Sequence, residues 1–357
     1  MIELKRGNLL LADADALVNT VNTVGVMGKG IALQFSKAFP DNLSAYERAC
    51  KANELEVGRM FVFERTGLEG FERPRYIINF PTKKNWRQPS RIEYIRAGLD
   101  ALVEELNRLG ISSVAVPPLG CGLGGLEWGE VLPLIEAAAQ RTPNVSWQVF
   151  EPAGAPDAAT MPNRTARPKM TRITATILAL MDRYLVPGFD YPVSLLEIQK
   201  LVYFLVASGE KLPRINFRAA NYGPYSDEVA HVLSRMDGHF ILGYGDGHNR
   251  PETPITVQSD AIREAREYLA QDSSLRDSIE RVAKLIEGYE DPYGMELLST
   301  VHWVANIEDR AALDDIDLAV KKVHDWSPRK AKTLQAEHIT CAWLHLKEWG
   351  WLAHGLQ

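Results

Sequence analysis

ALVNTVNTVGVMGKGIALQF, residues 16–35, is the stretch that decides the fold. Its first three residues form an apolar run of the kind found in buried strands. A loop follows in which Gly25, Gly28 and Gly30 recur, and apolar residues then return at helical spacing, which predicts a helix over residues 30–38. This order of strand, glycine loop and helix predicts an anion site, because glycines let backbone N–H groups approach phosphate oxygens and a helix N-terminus adds partial positive charge. The alternative is a plain structural turn.

The commoner phosphate-binding motifs do not match this loop. A P-loop has Ser or Thr after its Gly-Lys pair, where this chain has Gly30, and the dinucleotide fingerprint requires a third glycine where Leu33 stands. A second glycine loop, residues 118–125 (PLGCGLGG), follows another apolar run at 114–116. Two glycine loops at the carboxyl ends of strands are able to clamp one diphosphate between them.

Five ordered segments resemble the macrodomain family, the α/β fold that binds ADP-ribose. They are GNLL (7–10), ALVNTVN (16–22), GKGIA (28–32), NFPTKK (79–84) and PLGCGL (118–123). The branch they resemble is that of the ADP-ribosyl glycohydrolases, and within it the DarG family of bacterial antitoxins, which remove ADP-ribose from thymidine in DNA. The resemblance implies an α/β macrodomain over residues 1–152, with a mixed sheet between helices.

The resemblance also implies which residues bind ADP-ribose. They are Asn8, Leu9, Asn19, Asn22, Val26, Gly28, Lys29, Gly30, Ile31, Pro118, Leu119, Gly120, Cys121, Gly122, Leu123 and Gly124. Asn8 replaces the aspartate that usually holds the adenine amino group, and its amide oxygen accepts the same hydrogen bond without the charge. Asn22 stands where the family contacts the distal ribose, although a turn asparagine is an open alternative.

Lys83 and Lys84 are adjacent, and a neighbouring cation lowers the pKa of an amine and makes it a better nucleophile. The resemblance implies that Lys83 is the catalytic residue, which attacks the anomeric carbon of the ribosyl adduct. Relatives carry an aspartate just after the second glycine loop, assigned to release of the intermediate. This chain has Gly124 there, so that role cannot be transferred, and Glu127 is only a nearby substitute.

The segment after Lys83 is basic and contains one tryptophan. We expect Lys84, Arg87 and Arg91 to follow a phosphate backbone while Trp86 stacks on a base, which predicts binding of single-stranded DNA. An exposed basic loop with an incidental aromatic residue is the alternative.

Composition describes an ordinary globular chain of 357 residues, 46% hydrophobic and 24% charged, long enough for two or three domains. Its three cysteines form no CxxC pair, which argues against a disulfide framework or a zinc site. No segment is long and apolar enough to span a bilayer. We therefore expect a cytoplasmic protein with no metal, no cofactor and no membrane partner.

The chain changes character after the macrodomain. Residues 153–169 are rich in Pro, Ala and Thr and predict a linker. Helical periodicity dominates residues 170–357 and predicts helices over 172–184, 194–206, 226–235, 275–289, 295–305 and 333–349, with a winged-helix-like unit as one interpretation. Residues 196–203 and 222–226 resemble the antitoxin domain of SocA-like proteins, although core packing and a tight turn explain them equally. Residues 252–317 carry 16 acidic against 6 basic side chains, which indicates either a toxin-binding region or solvated helix faces.

Three functional hypotheses follow. The first is an antitoxin enzyme that removes ADP-ribose from single-stranded DNA. The second is a module that binds ADP-ribose without hydrolysis, and Lys83 argues against it because a binding module does not need an amine beside the anomeric carbon. The third is a protein inhibitor whose acidic half binds a DarT-like ADP-ribosyltransferase toxin, and it is compatible with the first.

Overall fold

The structure is a computed structural model that describes residues 1–65, 73–154, 156–185, 192–244 and 250–352. Over these residues the chain divides into two compact units, the first running to Ala166 and the second beginning at Arg167. The boundary falls inside the segment that is predicted to be a linker. The hydrophobic cluster of the second unit takes all its residues from position 170 onward, so this unit has a core of its own.

The first unit is a six-stranded sheet with helices on it. Its elements are β1 (Ile2–Lys5), β2 (Ala16–Asn22), α1 (Gly30–Ala38), α2 (Pro40–Lys51), β3 (Phe61–Glu64), β4 (Tyr76–Lys83), α3 (Ile92–Arg108), β5 (Ser113–Val116), α4 (Trp128–Gln140) and β6 (Ser146–Phe150). The strand order is β1-β6-β5-β2-β4-β3, with β3 antiparallel to β4 and the other pairs parallel. The predicted α/β fold with a mixed sheet is confirmed.

Alternation along β2 shows why the sheet is covered on both faces. Ala16 and Val18 belong to the cluster that packs under α3 and α4, whereas Leu17 belongs to the cluster under α1. Successive side chains of a strand point to opposite faces, so a continuous apolar run is buried only between two layers. The result is a sheet between helices, with β2 in its interior.

The strand order also places the functional loops. Strands β5, β2 and β4 are parallel neighbours, and they end at Val116, Asn22 and Lys83. The carboxyl ends of parallel strands lie at one edge of the sheet, which is where α/β proteins bind ligands. Both glycine loops and the basic segment therefore emerge at the same edge.

The second unit is mainly helical, as predicted. Its helices are α5 (Arg172–Tyr184), α6 (Leu195–Ala207), α7 (Asp227–Met236), α8 (Ser259–Tyr268), α9 (Ser273–Ile286), α10 (Pro292–Trp303), α11 (Ile316–Asp325), α12 (Pro328–Thr333) and α13 (Ala336–Glu348). Its short strands are β7 (Val193–Ser194), β8 (Arg218–Ala220), β9 (Gly223–Tyr225), β10 (Ile241–Leu242) and β11 (Pro254–Val257). None of the helices in the described part of the chain is long and apolar enough to cross a membrane.

The two segments that resemble SocA-like proteins meet inside this unit. On α6, the Gln199 side chain accepts from Ser226 N and donates to Ser226 O, both at 2.9 Å. Lys200 donates to Pro224 O at 2.7 Å, and its burial lowers the pKa of its amine to about 7. These contacts hold the Tyr222–Ser226 turn against α6, which is the packing role that the sequence left open.

Candidate active site

Three loops converge at the carboxyl edge of the sheet. We name residues 25–30 the first glycine loop and residues 84–89 the basic loop, and the second glycine loop is residues 118–125. A Cβ atom on Gly30 would lie 3.4 Å from Leu123 Cδ1, so the two glycine loops approach each other closely. The structure thus brings together segments that are almost 100 residues apart in the sequence.

Lys83 is the last residue of β4, and its amine reaches the second glycine loop. Nζ donates a hydrogen bond to Leu123 O at 2.9 Å. Partial burial lowers the pKa of Lys83, which favours the neutral, nucleophilic form of the amine. The predicted lowering of the Lys83 pKa is therefore confirmed. The expected cause is wrong, because desolvation rather than the charge of Lys84 lowers this pKa.

The first glycine loop is shaped by Asn22. Its Oδ1 accepts from Val24 N at 3.0 Å and from Val26 N at 3.3 Å, and its Nδ2 donates to Val26 O at 2.6 Å. The buried Tyr46 hydroxyl donates to Asn22 O at 2.8 Å. Asn22 therefore has the turn-forming role that the sequence offered as an alternative. Sequence reasoning missed Tyr46, because its contact depends on how α2 packs.

Asn19 belongs to a buried row of amides below the loops. Its Nδ2 donates to Asn79 Oδ1 at 3.0 Å, and Asn79 Nδ2 donates to Asn42 Oδ1 at 2.7 Å. Asn19 Oδ1 is buried and has no hydrogen-bond partner among the described residues. Sequence reasoning assigned no site role to Asn42 or to Asn79, although the pairing of β2 with β4 places Asn19 directly opposite Asn79.

Asn8 caps the short 3-10 helix Leu9–Leu11. Its Oδ1 accepts from Leu10 N at 3.0 Å, and its Nδ2 donates to Thr160 O at 3.3 Å. Leu9 is buried beside it. A carbonyl oxygen has two lone pairs, so the cap leaves one acceptor position for the adenine contact expected of Asn8.

The four residues expected to bind DNA lie along and just after the basic loop, and all are exposed: Lys84, Trp86, Arg87 and Arg91. Trp86 is 51% exposed, and the Arg87 guanidinium carbon lies 4.6 Å from the centre of its ring. An exposed indole stacked with a guanidinium offers a flat cationic surface of the kind on which nucleobases stack.

The chain is similar to known proteins over most of its length. The Macro domain family pattern matches residues 18–135. The DNA ADP-ribosyl glycohydrolase of Thermus aquaticus is 44% identical over 342 residues, covering 96% of this chain and 92% of that protein. The enzyme of the same name from Mycobacterium tuberculosis is 43% identical over 357 residues, covering 96% and 98%. The chain belongs to the DNA ADP-ribosyl glycohydrolase family. The expected resemblance to macrodomains and to the DarG family is thereby confirmed.

Two further proteins match a smaller share of the chain. A fusion protein of a DNA ADP-ribosyl transferase and a DNA ADP-ribosyl glycohydrolase from Thermosipho africanus is 40% identical over 146 residues, 38% of each chain. The solved macrodomain of Mycobacterium tuberculosis DarG is 52% identical and covers 43% of this chain and 99% of its own, with a TM-score of 0.41.

Within this DNA ADP-ribosyl glycohydrolase, packing explains the glycine at position 124. A Cβ atom on Gly124 would overlap Gly120 O and Ser90 Oγ, so the aspartate of related macrodomains cannot be accommodated without moving the backbone. The Ser90 hydroxyl is buried and has no hydrogen-bond partner within the described ranges. Glu127, the nearby substitute, is exposed at the N-cap of α4.

The remaining residues of the second glycine loop differ in exposure. Leu119 is fully buried, and Gly122 and Leu123 are exposed. Cys121 is partly buried, and burial raises the pKa of its thiol to about 11, so the thiol stays protonated at neutral pH. The exposed tip at Gly122 and Leu123 is the part of the loop that a ligand can reach directly.

We expect Gly124→Ala to destabilise the first unit by about 1–3 kcal/mol, the usual cost of an added methyl group where no space exists. Gly122→Ala is the matched control, because a Cβ there meets no heavy atom of the described residues within 4 Å, and its effect should stay within about 0.5 kcal/mol. Denaturant unfolding of both variants measures the difference. Equal stability of the two variants would mean that the loop is not packed around Gly124.

Proposed function

We propose that this chain removes ADP-ribose from thymidine in single-stranded DNA, and that its second unit binds and neutralises a DarT-like ADP-ribosyltransferase toxin. The observation that carries the enzymatic half is the position of Lys83, whose amine is hydrogen-bonded to Leu123 O in the loop that is expected to hold the ligand. The names of relatives that align over more than nine-tenths of their length support the same activity.

In this proposal the loops divide the work. The two glycine loops bind the diphosphate through backbone N–H groups, because glycine has no side chain to block the approach of phosphate oxygens. Asn8 and Leu9 lie on the adenine side, and Asn22 holds the first glycine loop in shape. The basic loop receives the DNA strand, with Trp86 and Arg87 stacking on bases and Lys84 and Arg91 near phosphates.

The chemistry assigned to Lys83 is nucleophilic. The Nζ lone pair forms a bond to the anomeric carbon, the electron pair of the glycosidic bond leaves with the thymine base, and a proton passes from the nitrogen to the base. Water then cleaves the new carbon–nitrogen bond, which releases ADP-ribose and the free amine. Gly124 has no side chain to assist this second step, and we propose Glu127 only as a nearby carboxylate with the right chemistry.

A module that binds ADP-ribose without cleaving it is the second candidate function. The absence of a side chain at Gly124 favours it, because a glycine there supplies no acid or base. The lowered pKa of Lys83 favours the enzyme, since burial of an amine beside the loop has a cost that binding alone does not require. Release of ADP-ribose from modified DNA by the wild-type chain decides between the two.

The second unit supports the toxin half of the proposal through its charge. Residues 252–317 hold 16 acidic and 6 basic side chains, and Glu267, Asp277 and Glu287 on or beside α8 and α9 are exposed. A toxin that modifies DNA presents a basic groove with stacking side chains, and exposed carboxylates and aromatic rings such as Tyr268 complement it. The transferase–glycohydrolase fusion relative is consistent with such a partner.

We expect residues 167–357 alone to bind the cognate transferase and protect cells from it without any hydrolase present. This fragment contains a complete hydrophobic cluster, so it should fold by itself. Co-purification at low and high salt is the measurement, and binding should weaken with salt because exposed charges are screened within about 10 Å at 0.1 M. Residues 1–166 are the control. If only the control fragment protects, the acidic faces are solvated surface and the toxin half of the proposal is wrong.

We also propose a winged-helix unit between α5 and β11. Strands β7, β10 and β11 form an antiparallel sheet in the order β10-β11-β7, and α5, α6 and α7 precede its last two strands. Three helices followed by a β-hairpin is the arrangement of winged-helix domains. The β8–β9 pair is an insertion relative to it, and slow hydrogen exchange of the Ile255 amide would support the sheet.

The DNA substrate and the three free cysteines, Cys50, Cys121 and Cys341, support a cytoplasmic location for this activity. Fractionation of cells that express the full chain would test the proposal. No group of three or more potential metal ligands occurs among the described residues, and the proposed reaction requires no metal.

A further inference from the structure

The basic loop is fastened at both ends to the glycine loops. At its start, Lys84 O accepts two hydrogen bonds, from Thr23 N at 3.3 Å and from Thr23 Oγ1 at 2.9 Å. Thr23 directly follows β2 and leads into the first glycine loop. At the other end, Ser90 N donates to Gly124 O at 2.9 Å, which is in the second glycine loop. A shift of the basic loop therefore pulls on both glycine loops.

Lys83 is hydrogen-bonded to the same part of the second glycine loop as Ser90. Its amine donates to Leu123 O, and Ser90 donates to the next carbonyl along the chain, Gly124 O. Leu123 O and Gly124 O are separated by the two backbone dihedrals of Gly124, so these carbonyls move together when packing prevents rotation about those bonds. Gly124 is tightly packed, because Gly120 O and the Ser90 side chain fill the space around it. The position of the basic loop is thus linked to the acceptor that holds the catalytic amine.

Building on the proposed function, we propose that Thr23 and Ser90 are positioning residues that couple occupancy of the basic loop to the placement of Lys83. A DNA strand that binds Lys84, Trp86 and Arg87 holds the basic loop in place. Part of its binding energy then stabilises the transition state at the anomeric carbon, because the held loop keeps Lys83 in position. The enzyme then distinguishes a modified DNA strand from a modified nucleotide in turnover, and not only in binding.

Steady-state hydrolysis of two probes tests the coupling. The probes are ADP-ribosylated thymidine mononucleotide and an ADP-ribosylated single-stranded oligonucleotide of about ten nucleotides, within the span of a typical single-strand site. We expect kcat of the wild-type full chain to be at least about tenfold higher on the oligonucleotide, or 1.4 kcal/mol at the barrier. This comparison depends on no variant.

Thr23→Val identifies the residue that carries the coupling. The substitution removes the Oγ1 donor to Lys84 O and keeps the size of the side chain and the backbone N–H. Because one hydrogen bond contributes about 1 kcal/mol, kcat on the oligonucleotide should fall about fivefold. The mononucleotide kcat and the ADP-ribose affinity should not change, and Thr23→Ser should restore the wild-type values.

Thr333→Val is the matched control. Thr333 Oγ1 also donates to a backbone carbonyl, Arg329 O, at 2.9 Å, but it lies on α12 of the second unit. This variant should behave as wild type on both probes. Thermal unfolding of the full chain verifies that each variant is folded, and calorimetry with ADP-ribose reports on the first unit.

Two results would overturn the coupling while leaving the proposed function intact. One is an equal wild-type kcat on both probes, with only KM differing. The other is an equal loss of kcat on both probes in Thr23→Val, which would assign Thr23 a structural role alone. Absence of release from either probe by the wild-type chain would instead reject the proposed function.

Discussion

Lys83→Ala should abolish release of ADP-ribose from modified single-stranded DNA and leave the binding of free ADP-ribose almost unchanged. The expected loss in kcat is at least about 1,000-fold, the scale seen when a residue that forms the covalent intermediate is removed. Affinity should stay within about threefold, because the glycine loops bind the diphosphate while the amine acts only on the bond that breaks. A release assay and calorimetry measure the two effects separately.

Two further variants separate charge from nucleophilicity. Lys83→Arg keeps the positive charge beside Leu123 O but has no amine that can become neutral, so it should be as inactive as Lys83→Ala. Lys84→Ala should raise KM for DNA and retain turnover at saturation, because Lys84 is exposed and is proposed to contact the DNA backbone.

Wild-type kcat should increase with pH through the pKa of Lys83, which burial places below the ordinary value of 10.5. Full turnover by Lys83→Ala would exclude Lys83 as the nucleophile.

Gly122→Glu should eliminate ADP-ribose binding without unfolding the protein. Gly122 lies at the exposed tip of the second glycine loop, and a Cβ there meets no heavy atom within 4 Å in the described part of the chain. The added carboxylate faces the expected diphosphate. Two like charges 4 Å apart near a protein surface repel by about 4 kcal/mol, which corresponds to roughly a thousandfold loss in affinity.

Gly122→Gln is the matched control, because it adds nearly the same volume without the charge. We expect it to weaken binding by only about tenfold, through obstruction of the backbone. Calorimetry with ADP-ribose and thermal unfolding of both variants are the measurements. Unchanged affinity in Gly122→Glu would mean that this loop is a structural turn and that the diphosphate binds elsewhere.

The strongest sequence predictions rest on local signals. The apolar run at the start of β2 and the glycines after it predicted the strand, the loop and helix α1 over residues 30–38, where the structure has Gly30–Ala38. Helix α5 likewise runs over the predicted Arg172–Tyr184. In both cases the apolar residues at helical spacing lie within one short segment, and Thr171 caps the start of α5 by accepting from Thr174 N, so distant residues are not needed to define either element.

Element ends were less predictable where polar residues are buried. Strand β2 continues to Asn22 and β4 to Lys83, beyond their apolar runs, where Asn19 donates to Asn79 across the strand pair and Asn79 donates to Asn42. An isolated sequence shows such asparagines only as turn-forming residues. Helices α8, α11 and α12 were missed for a related reason: they are short, and their stability comes from packing in the second unit.

The sequence by itself determined the α/β character of the first unit, the positions of the two glycine loops and the helical character of the second unit, because each depends on residue type and local spacing. The nucleophilic role of Lys83 stays a prediction. Only the tertiary structure decided that Lys83 reaches Leu123, that Tyr46 and Asn22 shape the first glycine loop, and that Ser90 and Gly120 leave no space at position 124. The contacts of Tyr46 with Asn22, of Ser90 with Gly124 and of Lys83 with Leu123 join residues that lie 24 to 40 positions apart. The order of the parallel strands, which no local pattern encodes, brings them to one edge of the sheet.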